Sequence, residues 1–274
     1  MHTVPTYLSD LFATKFRSDI RKDEHLYHDP FNDELIRLQL DTSHVTKTGS
    51  ALAVNRGLPR FTIKKTGEPI RSRYPKYCVV PSTITNGEIR EAAKFRSYKQ
   101  FPTIVWRHIN GAIIAGAGQP EVSWSPRRSK EDENMIQAII NSCNDKVTTN
   151  SIESEKNSNR IFIVHAGSDD PAIKNYAKHY RDCDLEFKNL PGINVVSRNG
   201  RMLCAINSTK CENWFSKLIS THWLQNLSAL IEAACCVVTN IDEDNRSVLV
   251  HGSNSEYQTS QIITLAKIML DPYY

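Results

Sequence analysis

The sequence predicts an α/β domain built in layers, and three observations carry that prediction. Short runs rich in β-branched residues alternate with stretches whose apolar residues recur at helical spacing, the pattern of a sheet covered by helices. The 274 residues are 40% hydrophobic and 23% charged, an ordinary balance for a globular chain with room for one large domain or two small ones. Near the C-terminus, an apolar strand runs through a tight loop of small residues into a helix.

Taken in order, residues 1–25 are mixed, with Lys15, Arg17, Arg21 and Lys22 around Phe12 and Phe16. Leu26-Tyr27-His28-Asp29-Pro30 followed by Glu34-Leu35-Ile36-Arg37-Leu38 reads as a turn and a short amphipathic helix. Tyr77–Pro81 reads as a strand. Thr85-Asn86-Gly87-Glu88 is a capping box, because the threonine can accept from the third helical N–H while the glutamate reaches back. The helix it opens runs through Ile89, Ala92, Ala93 and Phe95. Phe101–Trp106 is a second strand, and Asn110-Gly111 before Ala112–Ala115 predicts a hairpin with a type I′ turn. Ser129 caps a helix whose first turn holds Glu131 and Asp132, where the dipole favours them. Residues 144–160 form a polar connection. Ile161–Val164 is a buried strand, and Trp223, Leu224, Leu227, Leu230, Ile231 and Ala234 mark the core face of a helix. Val248–Val250 is a strand, and residues 261–270 have helical spacing.

Net charge is +4, too mild to imply nucleic acid or a membrane surface by itself. No apolar run is expected to reach the length of a membrane span. Met1-His2-Thr3-Val4-Pro5 begins no signal peptide, so the expected setting is the cytosol. The seven cysteines show no C-x-x-C spacing, which predicts reduced core thiols and no zinc site. No cofactor is expected.

The loop between the last strand and the last helix draws the functional reading. Backbone N–H groups at a helix N-terminus lack partners within the helix, so such a loop can cradle a phosphate. The stretch Val248-Leu249-Val250-His251-Gly252-Ser253-Asn254-Ser255-Glu256-Tyr257-Gln258-Thr259 resembles the signature of the myotubularin phosphoinositide phosphatases, V-H-C-S-D-G-W-D-R-T with its C-x5-R core. Further blocks stand in the family's order: Tyr74-Pro75 with Val79-Val80-Pro81, Lys94-Phe95-Arg96-Ser97 with Phe101-Pro102, Trp106-Arg107-His108 with Asn110-Gly111, Gln119-Pro120, Arg128–Glu133, Trp214 with Thr221–Leu224, and Asp271–Tyr274. Residues 26–38 resemble the connector that follows the family's lipid-binding PH-GRAM domain. The resemblance implies a phosphatase-like domain over residues 26–274, with residues 1–25 as a remnant of PH-GRAM or a linker. It also implies a cysteine-phosphatase-like central mixed sheet flanked by helices, incomplete at its C-terminus.

The departures fall on the chemistry. The nucleophile position holds Gly252 and the arginine position Gln258, while Asn254 and Tyr257 stand at the two acidic positions. Glycine carries no thiolate to attack phosphorus. Glutamine cannot offer a guanidinium's two charge-assisted bonds to phosphoryl oxygens. The strand at Ile161–Val164 runs into His165-Ala166-Gly167-Ser168 where the family has D-A-R-P. By resemblance, vestigial headgroup positions fall on Asn175, Ile193, Ser253, Asn254 and Ser255, and Gly192 replaces a headgroup asparagine. Ser253 would need His251 as its base, a residue the resemblance makes structural. His165, Asp169 and Asp170 read as exposed loop residues.

The expectation is therefore no enzyme but a pseudophosphatase, an adaptor paired with an active myotubularin relative, cytoplasmic or peripheral on endosomal membranes. The alternative is a phosphatidylinositol 3-phosphate or 3,5-bisphosphate 3-phosphatase with a non-standard active site, or a weak phosphoinositide-binding module.

Overall fold

The computed structural model describes residues 34, 35, 37, 38, 60–66, 77–122, 128–143, 160–207, 213–253 and 255–274. The N-terminal segment 1–25, the turn at 26–30, the polar connection at 144–159, Cys211 and Asn254 lie outside the described residues.

Among the described residues, seven strands make one mixed sheet: β1 (Phe61–Lys65), β2 (Tyr77–Pro81), β3 (Thr103–Arg107), β4 (Ile113–Gly118), β5 (Ile161–His165), β6 (Cys183–Phe187) and β7 (Ser247–Gly252). Their spatial order is β1-β2-β3-β4-β7-β5-β6. The first four form an antiparallel meander. β4, β7, β5 and β6 then run parallel, and parallel neighbours need crossovers. These are supplied by α2 (Lys130–Cys143) before β5, α3 (Pro171–Ala177) before β6, and three helices before β7: α4 (Ile193–Asn207), α5 (Trp214–Ser220) and α6 (Trp223–Asp242). α1 (Asn86–Phe95) lies between β2 and β3, and α7 (Ser260–Leu270) follows β7. Every residue of β7 is buried, as expected of a strand covered on both faces and paired on both edges.

The capping box forms as predicted: Glu88 N–H donates to Thr85 Oγ1, and Thr85 N–H to Glu88 Oε2. Ser129 Oγ accepts from the Asp132 N–H as the predicted cap of α2. The hairpin at Asn110-Gly111 is of another kind. Only Gly111 has positive φ, at 94°, and its N–H donates to His108 O, while His108 N–H donates to Ala112 O. This is a three-residue loop with glycine at its last position. Asn110 is drawn out of the type I′ geometry by its own side chain, which donates to Ile241 O and Asn245 Oδ1 and accepts from Ala112 N–H.

The core face of α6 is Ala233, Ala234, Val237 and Ile241. Of the face expected inside, Leu224, Leu227 and Ile231 are exposed, and only Ala234 is fully buried. By length and composition α6 is also apolar enough to cross a membrane, contrary to expectation. Its packing against α7, β7 and β5 makes it a sheet-covering helix. The thiols are not uniformly internal either: Cys78 is buried, whereas Cys204 and Cys235 are exposed.

A buried ion pair ties the layers together. Arg96, just past α1, sends Nε and Nη2 to the two carboxylate oxygens of Asp132 at 2.7 and 2.8 Å, and Nη1 to Gly118 O. Tyr180 Oη accepts from Arg96 and donates to Asp132 Oδ2. Arg96 and Asp132 are both fully buried side chains. Gly118 has to be glycine, because a Cβ there would lie 2.4 Å from Ser97 O. Farther along, Arg37 pairs with Asp271 and stacks on Tyr273 at 4.2 Å, so the segment at 34–38 meets the end of α7.

Breaking one partner of a buried pair leaves an uncompensated charge. Asp132→Ala is expected to lower stability by about 3–5 kcal/mol in urea denaturation, and Tyr180→Phe by about 1–3 kcal/mol.

Candidate functional site

β7 ends at Gly252 between two parallel neighbours, with Gly118 of β4 and His165 of β5 beside its last residues. Crevices at the carboxyl ends of parallel strands are where open α/β sheets take ligands. Two backbone bonds fix the end of the strand: Gln119 N–H donates to Gly252 O, and Ala166 N–H to His251 O. Beyond it, Ser255–Thr259 forms one wide helical turn before α7. Such turns interrupt the regular i→i−4 ladder and recur at functional sites.

Gly252 has no side chain, and its surroundings are close. A Cβ there would lie 3.2 Å from Ala166 Cβ, 3.5 Å from Thr259 Oγ1 and 3.7 Å from Gln258 Oε1. Thr259 is buried and its hydroxyl has no hydrogen-bond partner. That orphaned hydroxyl stands beside the place a residue-252 side chain would take.

Gln258 is buried, and its Nε2 donates to Leu190 O at 2.8 Å and Pro191 O at 3.0 Å. Both amide protons are thereby used, which turns Oε1 toward Gly252. The bond has a second effect. Residues 190–191 immediately precede α4, and Gly192 O accepts from the Val195 and Val196 N–H groups in its first turn. Gln258 thus holds the N-terminus of α4 beside the start of α7. Two helix N-termini meet at the end of β7, and each carries partial positive charge.

Beneath the loop lie two buried imidazoles. The rings of His165 and His251 sit edge to face with centroids 4.9 Å apart, and Phe187 packs on His165 from another side. His165 is not the exposed loop residue that was expected, because register pairs it with His251 inside the sheet. Both ring nitrogens of His251 and Nδ1 of His165 lack partners. Burial pushes His165 down to about 4, against a small opposing pull from Asp170. Burial, then His165 and Arg96, holds His251 well below the usual imidazole range. Both rings are neutral at pH 7.

The other sequence-predicted positions are spread around this loop. Ser253 is exposed, Tyr257 is half-buried, and Ser255 opens the wide turn. Ile193 is the exposed first residue of α4. Asn175 is exposed on α3, where its Oδ1 accepts from Lys178. Asp170 caps α3 through the Ala172 N–H. Sequence reasoning missed the Leu190 and Pro191 carbonyls. The cue was Leu190-Pro191-Gly192, a turn placed directly before a helical pattern.

The family model for the myotubularin-like phosphatase domain matches residues 41–274. The chain is 34% identical over 241 residues to human phosphatidylinositol-3,5-bisphosphate 3-phosphatase MTMR4, covering 73% of this chain and 20% of that protein. The chain belongs to the myotubularin phosphatase family. Mouse phosphatidylinositol-3,5-bisphosphate 3-phosphatase MTMR2 is 33% identical over 212 residues, covering 73% of this chain and 31% of that protein. The Caenorhabditis elegans protein named MTMR3 is 34% identical over 212 residues, covering 73% and 20%. The match thus spans between 20% and 31% of the length of these relatives. The family also corrects one expectation. The chain was expected to be no enzyme, yet these relatives are named as 3-phosphatases and the family is enzymatic.

The imidazole pair sets a pH dependence. Its folded-state protonation is depressed, so the unfolded chain binds protons first as pH falls. The stability it contributes is full above about pH 6.5 and is lost progressively toward about pH 4. For His165 alone, unfolding free energy is expected to drop by about 2 kcal/mol between about pH 7.5 and pH 5. Urea titrations of the wild type and His165→Gln should show the smaller slope in the variant.

Proposed function

We propose that the chain is the loop-bearing part of a phosphoinositide 3-phosphatase, taking a 3-phosphorylated inositol headgroup at the end of β7 through a phosphate loop of non-standard composition. The observation that carries this reading is the convergence of the α4 and α7 N-termini on that loop, held by the Gln258 amide. Unpartnered N–H groups at helix N-termini attract anions without any cationic side chain. The relatives' named substrate, a 3,5-bisphosphorylated phosphatidylinositol, is the headgroup class such a site would meet.

In this reading, phosphoryl transfer cannot begin from a thiol at residue 252. The hydroxyl next along is that of Ser253, which is exposed. Attack by Ser253 Oγ on phosphorus would break the bond to the inositol 3-oxygen, with the serine proton passing through solvent water to that oxygen, which leaves as a hydroxyl. Water would then cleave the phosphoserine to inorganic phosphate. Gln258 stabilises this charge less well than a guanidinium, because its two donors are already committed to carbonyls.

Phosphate release from vesicles containing phosphatidylinositol 3-phosphate tests the reading together with titration of soluble inositol 1,3-bisphosphate. Saturable headgroup binding is expected, with release that Ser253→Ala lowers. The double variant Gly252→Cys/Gln258→Arg is expected to raise release at least ~100-fold, since each charge-assisted bond contributes about 1.5–3 kcal/mol. Absence of headgroup binding, with no gain in the double variant, would sink the proposal.

A further inference from the structure

The helices between β6 and β7 expose more apolar surface than their packing explains. α4, α5 and α6 pack on one another, and α5 has its principal contacts with these two helices alone. Trp223 of α6 turns inward onto Gly200 of α4, where an added Cβ would come within 3.2 Å of the ring. The outward residues are large and apolar. Phe215 is 66% exposed, and Trp214 and Ile219 on the same short helix are exposed with it. Along α6, Leu224, Leu227 and Ile231 follow at spacings of three and four, which puts them on one side of the helix. Leu224 is 55% exposed and Ile231 48%.

Charge decides what such a surface fits. From Leu190 to Glu232, the end of the first half of α6, the sequence carries Arg198, Arg201, Lys210 and Lys217 against two acids, Glu212 and Glu232. Half of the chain's net charge of +4 therefore falls in the segment that carries the exposed apolar side chains. Two copies meeting through this face would bring like charges together, which opposes a symmetric interface. Aromatic and aliphatic side chains interspersed with cations match a different partner, an anionic lipid surface.

We propose that the outer side of α4, α5 and the first half of α6 docks on an anionic bilayer, laying the loop at the end of β7 against the headgroup layer. Trp214 and Phe215 enter the interfacial zone, where aromatic rings partition well. Arg198, Arg201 and Lys217 meet lipid phosphates. The inference rests on the headgroup reading for its purpose but not for its evidence. Ile193 begins the docking surface at the same end of α4 that Gln258 ties to the loop, so surface and loop share an edge.

The test uses the full chain and sucrose-loaded vesicles of phosphatidylcholine alone, with phosphatidylserine, or with phosphatidylinositol 3-phosphate. Phosphatidylserine vesicles are expected to bind at least ~10-fold more tightly than neutral ones, given about 1 kcal/mol per basic residue near an anionic surface. Phe215→Glu/Leu224→Glu is expected to lose at least ~10-fold on both anionic vesicles, and Arg198→Glu/Arg201→Glu as much. Circular dichroism and thermal melts should be unchanged, because all four side chains are exposed. Binding of soluble inositol 1,3-bisphosphate should also be unchanged. Vesicle binding unaffected by the Phe215/Leu224 variant overturns the proposal. So does a dimer that this variant splits while the wild type ignores vesicles, since the face would then join two copies. Variant-sensitive vesicle binding without soluble headgroup binding upholds the docking face and sinks only the headgroup reading.

Discussion

The Arg96 fork is the interaction on which the geometry of the site depends. A guanidinium with no solvent exposure has to be neutralised where it stands, and Asp132 does this with both oxygens. The fork's third arm reaches Gly118 O at the end of β4. Gly118 is the register partner of Gly252, and the next residue, Gln119, donates to Gly252 O. The floor of the loop is therefore set by a buried charge pair that bonds the strand next to β7. The same guanidinium also helps keep His251 neutral, so the fork shapes both the position and the electrostatics of the loop.

Among the described side chains around the end of β7, little charge is placed. The imidazoles beneath are neutral, Gln258 points its donors at carbonyls, and Gly252 offers backbone alone. In the proposed reading, attraction for phosphate would come from oriented peptide dipoles, which are fixed and need no reorganisation. The orphaned Thr259 hydroxyl stands beside Gly252 without a bond to satisfy it. Burying it costs free energy, and a hydroxyl or thiol at residue 252 is the natural partner for it.

Much of this was legible in the sequence, for local reasons. β7 could be read because a strand buried on both faces is continuously apolar, and the caps of α1 and α2 because cap chemistry is local. The loop was legible through Gly252 and Gln258, which stand where a resembling family places its two working groups. The misreadings share a cause in tertiary context. His165 was taken for a loop residue because one strand's sequence does not reveal its register with another. The α6 face was assigned by apolarity, yet small residues, Ala233 and Ala234, pack against the sheet while the large ones face out. Periodicity finds stripes but does not say which stripe is inside. The Gln258 bonds join residues 67 and 68 positions apart, beyond the reach of any local signal.

Strand order carries one more consequence, for how the chain is made. Of the seven described strands β7 is synthesised after the other six, yet it sits between β4 and β5. Until it emerges, the antiparallel meander and the β5–β6 pair have no strand to join them, and each presents an open edge. Those edges include Ile113, Ile114, Ile161 and Ile163, all buried in the finished sheet. Unpaired apolar edges recruit other chains, and pairing across such sequence distances is slow. A nascent chain thus carries two adhesive margins until β7 emerges, and the residues that close them are the ones that form the loop's own strand.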